Sequence, residues 1–331
     1  METKNTKASK FDERKKKYSI SIIVPVYNEE VVLQEFHKRL IKAISTIPEK
    51  IEIIYIDDGS KDSSWSILNR LHSTHPNVGI LGFSRNFGKE QAMSAGLHQA
   101  SGDAIIVIDS DLQDPPELIP SMLEAWREGA DVVNMHRISR QGETWLKRIT
   151  AHIFYRVINM MSEVRIHEDV GDFRLLSRRA VDALNDMPEN TRFMKGLFAW
   201  IGYKQVTLDY HRDPRAAGTS KWKYWKLWNF AIEGITGFST VPLKIASYAG
   251  FTSSVLAFIY ATYFIIKTLI KGEYVAGFPT LIVTVLFLGG LQLMALGILG
   301  EYISRLFIES KRRPLYLIDT YKPANDPTSN S

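Results

Sequence analysis

The sequence predicts an α/β domain on a mostly parallel sheet, continued toward the C-terminus by a hairpin of two transmembrane helices. Three observations carry this: short apolar runs alternate with helical patterns over residues 18–135, acidic clusters follow those runs, and two long stretches near the C-terminus hold no charge. A length of 331 residues allows one large domain or two ordinary ones, with ample material for a core. The absence of cysteine excludes a disulfide scaffold, Cys-ligated zinc, iron–sulfur clusters and thiol catalysis. A net charge of +5 is too small to indicate nucleic acid, and no such partner is expected.

Each element follows from its pattern. Tyr18–Pro25 (YSISIIVP) is β-rich and reads as the first strand, with an apolar-striped helix over Glu29–Thr46 behind it. Ile51–Ile56 gives the second strand and Ser63–His75 the next helix. Asp62 is placed to cap that helix, because a carboxylate accepts the unpaired N–H groups of a first turn. Val78–Phe83, a helix over Gly88–Ala100, and Ala104–Ile108 follow as strand, helix and strand. Pro115-Pro116 opens a helix to about Glu128, and Asp131–Met135 is a fifth strand. Such alternation gives parallel strands covered on both faces. Ligands of these sheets bind outside the carboxyl ends of the strands.

The hairpin is read from charge. Ile245–Ile266 runs 22 residues without one and Tyr274–Gly300 runs 27. At 1.5 Å per residue the shorter stretch reaches about 33 Å, enough for a hydrocarbon core. Spans are expected over about 245–270 and 277–302, joined by a polar connector containing Lys267, Lys271 and Glu273. Lys221, Lys223, Lys226 and Lys244 precede the first span, and Arg305, Lys311, Arg312 and Arg313 follow the second. This bias places the N-terminal bulk and both ends of the chain on the cytoplasmic side of the inner membrane. Residues 1–17 are polar and lysine-rich and read as a flexible basic arm, with no apolar signal core. The α/β domain is then 18–220, an aromatic-basic juxtamembrane segment 221–243, the hairpin 244–304 and a tail 305–331. Within the domain, 145–161 has Trp145, Ile149, Ile153, Val157 and Met161 at i, i+4 spacing, the pattern of an amphipathic interfacial helix. Gly289, Gly290, Gly297 and Gly300 permit close helix packing, either within the hairpin or between protomers of a homo-oligomer.

The chemistry gathers at the strand ends. Asp109-Ser110-Asp111, with Gln113, follows the fourth strand, and residues i and i+2 leaving a strand can aim two carboxylates at one point. Hard divalent cations prefer such oxygens, with phosphate oxygens completing the shell. Asp57-Asp58-Gly59-Ser60-Lys61-Asp62 follows the second strand and reads either as a capped turn or as a carboxylate for a base N–H or ribose hydroxyls. Pro25-Val26-Tyr27-Asn28-Glu29 follows the first, where Tyr27 can stack on a base and Glu29 can cap the next helix. There is no Walker A loop and no G-x-G-x-x-G.

In succession, IVPVYNEE, IDDGSKD, SRNFGKEQAMSAG and IDSDLQDPPE resemble the family 2 glycosyltransferases of the GT-A, nucleotide-diphospho-sugar-binding (Rossmann-like) type. GDFRLLSR (171–178), RAAGTSKW (215–222) and the two spans resemble the polyisoprenyl-phosphate glycosyltransferase branch, and the likeness covers about residues 18–308. The resemblance implies donor-nucleotide contacts at Pro25, Tyr27, Glu29, Asp57, Asp58, Arg85, Lys89 and Asp109. It implies a Mg²⁺ or Mn²⁺ site at Asp109, Asp111 and Gln113, and phosphate contacts at Arg174, Ser177, Arg215, Ser220 and Lys221. Asp172 matches an acidic residue close to the reaction centre and, with Asp111, is the catalytic candidate. The metal motif here is Asp-Ser-Asp where Asp-Ala-Asp is commoner, and no Q-x-x-R-W follows, which argues against a processive polysaccharide synthase.

The implied reaction is inverting transfer of a hexose, glucose from UDP-glucose before mannose or an amino-arabinose, onto undecaprenyl phosphate. Its lipid-linked product would serve cell-surface polysaccharide modification. The contrasting expectation is a membrane scaffold that keeps the fold without catalysis. A transporter is disfavoured, since the spans carry no intramembrane charge.

Overall fold

The computed structural model describes residues 18–138, 170–187, 189–190, 192–211, 239–271 and 277–325, with the single positions 156, 160, 236 and 237. Among the described residues, eight strands form one sheet: β1 (Ser19–Val26), β2 (Lys50–Asp57), β3 (Val78–Phe83), β4 (Ala104–Val107), β5 (Val132–Arg137), β6 (Val170–Ser177), β7 (Gln205–Tyr210) and β8 (Ile318–Lys322). Their order is β7-β5-β6-β4-β1-β2-β3-β8. β1 pairs in parallel with β2 and β4, β2 with β3, and β5 with β7. β6 runs antiparallel between β4 and β5, and β8 antiparallel along β3.

The mostly parallel α/β sheet is therefore present, and three strands join the five read from periodicity. β6 carries the GDFR motif. β7 alternates half-buried and exposed residues at the far edge. β8 lies in the segment read as a tail, beyond both membrane helices.

Helices cover both faces because the buried strands are apolar on both sides. α1 (Leu33–Ile44), α2 (Ser64–Thr74) and α4 (Ile119–Arg127) close one face, where Ile22, Val24, Phe36, Leu40, Tyr55 and Ile106 form a core. α3 (Lys89–Gln99), α5 (Arg178–Asn185) and α6 (Met194–Trp200) close the other over Ile23, Ile56, Met93, Val107, Leu176 and Phe198. α1 starts four residues later than its apolar stripe indicates. Glu29 to Val32 form a turn first, with the Glu29 carbonyl accepting from Val32 and Leu33.

α7 (Val241–Lys271) and α8 (Phe278–Ser310) pack against each other and leave Phe258, Leu269, Leu281 and Leu293 exposed. Each holds a stretch long and apolar enough to span a bilayer, with none of that stretch buried in protein. Such surface needs lipid, so the chain is membrane-associated.

Past α8 the chain returns to the catalytic sheet. Glu309 accepts hydrogen bonds from Asn190 N and Nδ2 at 2.9 and 3.0 Å. The Tyr316 ring stacks on Phe83 at 5.0 Å, its hydroxyl meets His98 Nδ1 at 2.9 Å, and Leu317 O accepts from Ser84 N. The basic arm at 1–17 and most of both the amphipathic helix at 145–161 and the segment at 221–243 lie outside the described residues.

Candidate active site

Three loops meet at the carboxyl edge of the sheet, and backbone-to-side-chain bonds fasten them. Asn28, in the left-handed region at φ 54°, receives the Lys61 N–H on Oδ1 at 2.8 Å and donates its own N–H to Ser60 Oγ at 2.9 Å. Asp62 accepts from Ser64 N at 2.9 Å and from Glu30 N at 3.1 Å, so the expected cap also ties the β1 loop to the β2 loop. Gly59, at φ +66°, lies where a Cβ would come within 2.5 Å of the Arg85 carbonyl carbon, so the third loop reaches the second only across glycine.

Asp57 and Asp58 are adjacent in sequence and differ in role. Asp58 is turned into the protein, accepting from Phe87 N at 2.7 Å, Gly88 N at 3.0 Å and Asn86 Nδ2 at 2.8 Å. Asp58, matched to a nucleotide contact, here anchors the SRNFGKE loop, whose Asn86, Phe87 and Gly88 supply these donors. Asp57 accepts from Ser60 N through Oδ2, while Oδ1 is buried without a partner. Burial pushes its carboxyl up. Pro25 is buried and its carbonyl accepts from Ser110 Oγ at 3.3 Å, joining the ends of β1 and β4. Tyr27 and Glu29 are half-buried on the same edge. Arg85 is exposed, its guanidinium 4.0 Å from the Phe87 ring centroid.

At the centre, Lys89 Nζ donates to Asp109 Oδ2 at 2.7 Å and to Asp172 Oδ2 at 2.5 Å. β4 delivers Asp109, β6 delivers Asp172, and the first turn of α3 delivers the lysine. Burial disfavours the Lys89 charge, but the two carboxylates outweigh it and hold the ammonium above the usual lysine range. Burial pushes Asp109 up to about 6, with Lys89 pulling down and Asp172 pushing up. Asp172 also feels burial, yet Lys89 and then Lys195 keep it below the usual carboxylate range, and its Oδ1 has no partner. Asp111 Oδ1 accepts from Gln113 N at 3.1 Å, across Leu112 at φ 62°. A buried leucine in the left-handed region is strained backbone, held here at the turn that presents the acidic motif.

Of the residues matched to phosphate contacts, Arg174 lies in β6 beside Asp172 and Ser177 at the far end of the same strand. Arg174 is 3% exposed in β6, beneath Asp172 on the same face; it stacks 3.8 Å over the Phe198 ring centroid and donates to Gly171 O at 2.7 Å. Burial lowers it to about 10 against the opposing pull of Asp172 and Glu90. Its charge helps hold Asp172 ionised, while its Nε is buried without a partner. Ser177 pairs with Ala104 at the opposite, amino edge of β4, and its hydroxyl donates to Asp131 at 3.1 Å. Strand direction explains the miss: β6 is antiparallel, so residues after GDFR run away from the site. Arg215, Ser220 and Lys221 lie outside the described residues.

The structure adds residues that periodicity did not single out. Glu90 Oε2 accepts from Met194 N at 3.1 Å, and burial, then Asp172, raises its carboxyl to about 7. Arg137 ends β5, donates to Tyr210 Oη at 3.1 Å and lies over Gly171, where a Cβ would come within 2.4 Å of its Nη2. Tyr210 in turn donates to Asp114, which is fully buried. The carboxyl-edge rule would have found Arg137 had it been carried to β5, whereas nothing local to Lys195 pointed to the site.

The profile of glycosyl transferase family 2 matches residues 21–184, and that of the GtrB C-terminal hairpin matches residues 241–306. The chain is 50% identical over 299 residues to an uncharacterized glycosyltransferase of Synechocystis, covering 90% of this chain and 94% of that one. It is 49% identical over 303 residues to the bactoprenol glucosyl transferase of Shigella phage SfV, covering 92% and 99%. A prophage bactoprenol glucosyl transferase homolog of Escherichia coli K12 shows the same 49% over 303 residues, again covering 92% and 99%. Among solved structures, glucosyl-3-phosphoglycerate synthase from Mycobacterium tuberculosis with Mn²⁺, UDP-glucose and phosphoglyceric acid is 20% identical at a TM-score of 0.44, covering 68% of this chain and 80% of that one. The chain therefore belongs to glycosyl transferase family 2, as a transferase whose α/β domain is followed by a hairpin of the GtrB type.

Proposed function

We propose that this enzyme transfers glucose from UDP-glucose to undecaprenyl phosphate, with inversion at the anomeric carbon, on the cytoplasmic face of the inner membrane. The observation that carries the reading is the 49% identity to bactoprenol glucosyl transferases across both the sheet and the hairpin. The cation-bridged carboxylate pair at the carboxyl edge supplies chemistry of the right kind. Orientation rests on the basic residues flanking the spans: Lys244 on one side, Arg305 and Lys311 to Arg313 on the other.

Asp57, with its buried unpartnered oxygen, is suited to accept from the base or ribose, beside Tyr27. A lipid phosphate oxygen attacks the anomeric carbon as the bond to the UDP oxygen breaks on the opposite side, and the electron pair leaves with UDP. Because a phosphomonoester has its second pKa near 6, the attacking oxygen is ionised at neutral pH and needs little help from a base. Asp172, held charged by Lys89, then orients its surroundings instead of taking a proton. Asp109 and Asp111, with Gln113, are the residues to hold Mg²⁺ or Mn²⁺. Their carboxylates suit a hard ion that shares its shell with phosphate, and Asp109 already holds a cation, the Lys89 ammonium. When bound, such an ion supplies Lewis-acid stabilisation of the leaving diphosphate.

The test is direct. Purified protein with radiolabelled UDP-glucose, Mg²⁺ and undecaprenyl phosphate should yield a labelled lipid, and Asp111→Ala should lower the rate on the order of a hundredfold. Equal rates would remove the metal assignment. Labelled product only from another nucleotide sugar would reassign the donor, and none from any would leave a scaffold.

A further inference from the structure

A second polar–apolar feature lies away from the acidic site, at the end of α8 where the chain leaves the membrane helix. A cavity of about 360 Å³ is lined by Asn190, Phe307, Ile308, Lys311, Arg313 and Leu315, and shares no residue with the Lys89 cluster. Its volume is within the range of small-ligand pockets, roughly 300–1,000 Å³. Its walls are of two kinds. Phe307 and Ile308, 58% and 48% exposed, continue the lipid-facing surface of the span, while Lys311 and Arg313 contribute cations.

Those cations lack acidic partners. The nearest carboxylate in sequence, Glu309, is turned toward the catalytic domain and bonded to Asn190, and no carboxylate pairs with Lys311 or Arg313 among the described residues. Lys311 Nζ rests 3.9 Å from the Phe307 ring centroid, which keeps the charge at the cavity wall. Position supplies the rest. The charge-free part of α8 ends at Gly300 and the helix itself at Ser310, with Glu301, Arg305 and Glu309 between, so Lys311 and Arg313 lie on the interfacial side of the span, where basic residues meet anionic headgroups.

We infer that this cavity binds the headgroup of an anionic phospholipid, its phosphate on Lys311 and Arg313 and its acyl chains along Phe307 and Ile308. The lipid would fill the corner between the span, the Asn190 turn and the segment leading to β8. The site goes beyond the glucosyl transfer proposed above and needs no turnover to be detected.

The experiment places the full chain in nanodiscs of phosphatidylcholine doped with spin-labelled phosphatidylglycerol or spin-labelled phosphatidylcholine. The immobilised fraction of each label is read by electron paramagnetic resonance. Wild type should prefer phosphatidylglycerol on the order of tenfold. Lys311→Gln with Arg313→Gln should bring the preference to that of the bulk bilayer, and Lys311→Arg with Arg313→Lys should restore it. Lys38→Gln with Lys42→Gln, which lowers net charge equally on α1, should leave it intact; UDP binding by each variant reports a folded catalytic domain. Equal preference in the wild type and the paired Gln variant would overturn the inference. So would displacement of the labelled phospholipid by stoichiometric undecaprenyl phosphate, since the cavity would then belong to the acceptor.

Discussion

Lys89 bridges Asp109 and Asp172 at 2.7 and 2.5 Å, with its side chain 41% exposed. Replacing it by methionine removes the one cation bonded to both carboxylates and leaves Asp172 with only the more distant pull of Lys195 and Arg174. Lys89→Met should therefore bind Mn²⁺ more tightly in the absence of donor, on the order of tenfold, while turnover falls on the order of a hundredfold. Manganese titration of donor-free protein checks the first half, and an unchanged affinity would show that the lysine does not compete for the site. Glu90 offers a pH test. Its carboxyl lies near 7 against an ordinary 4.5, so the folded chain binds a proton there that the unfolded chain has lost. Stability drawn from this group is present below about 4.5 and is lost as pH rises toward 7. Glu90→Gln, which retains an acceptor for Met194 N–H, should raise stability at pH 8 on the order of 1–3 kcal/mol and leave it unchanged near pH 4. Thermal melts at the two pH values read the difference. At this scale the sequence displayed Asp57, Asp109 and Asp111 because they follow recognisable strands. It could not display the inward turn of Asp58, which depends on amide donors from a loop some 30 residues on.

Among elements, the parallel strands were legible because each is a short apolar run between helical patterns. β6 was not, since Gly171, Asp172 and Arg174 interrupt its apolar run and its hydrogen-bond partners are distant strands. Its direction decides the site: antiparallel pairing brings Asp172 to the carboxyl edge of β4 and carries Ser177 away from it. Gly59 sets the contact between the second and third loops. Gly59→Ala should cost about 2 kcal/mol or more, because the new Cβ meets backbone and the φ is left-handed, and a thermal melt should show the loss together with weaker UDP binding. The stack of Tyr316 on Phe83 ties the approach to β8 onto the sheet. Tyr316→Ala should cost about 1–3 kcal/mol in the same assay, through loss of the ring pair and the bond to His98.

For the molecule as a whole, charge-free length made the hairpin legible, and the family resemblance joined it to the sheet. What no periodicity announced is that residues 318–322 belong to the same sheet as residues 19–26. A chain ending at Thr240 should therefore expose the β3 edge and aggregate, whereas one in which 323–331 alone are removed should stay monodisperse by size exclusion in detergent. The order of synthesis gives β8 a further meaning. A ribosome completes β1 to β7 first, then both spans, and only afterwards the strand that covers β3. The catalytic sheet is therefore unfinished until the hairpin has been made, and the β3 edge stays open through the synthesis of both spans.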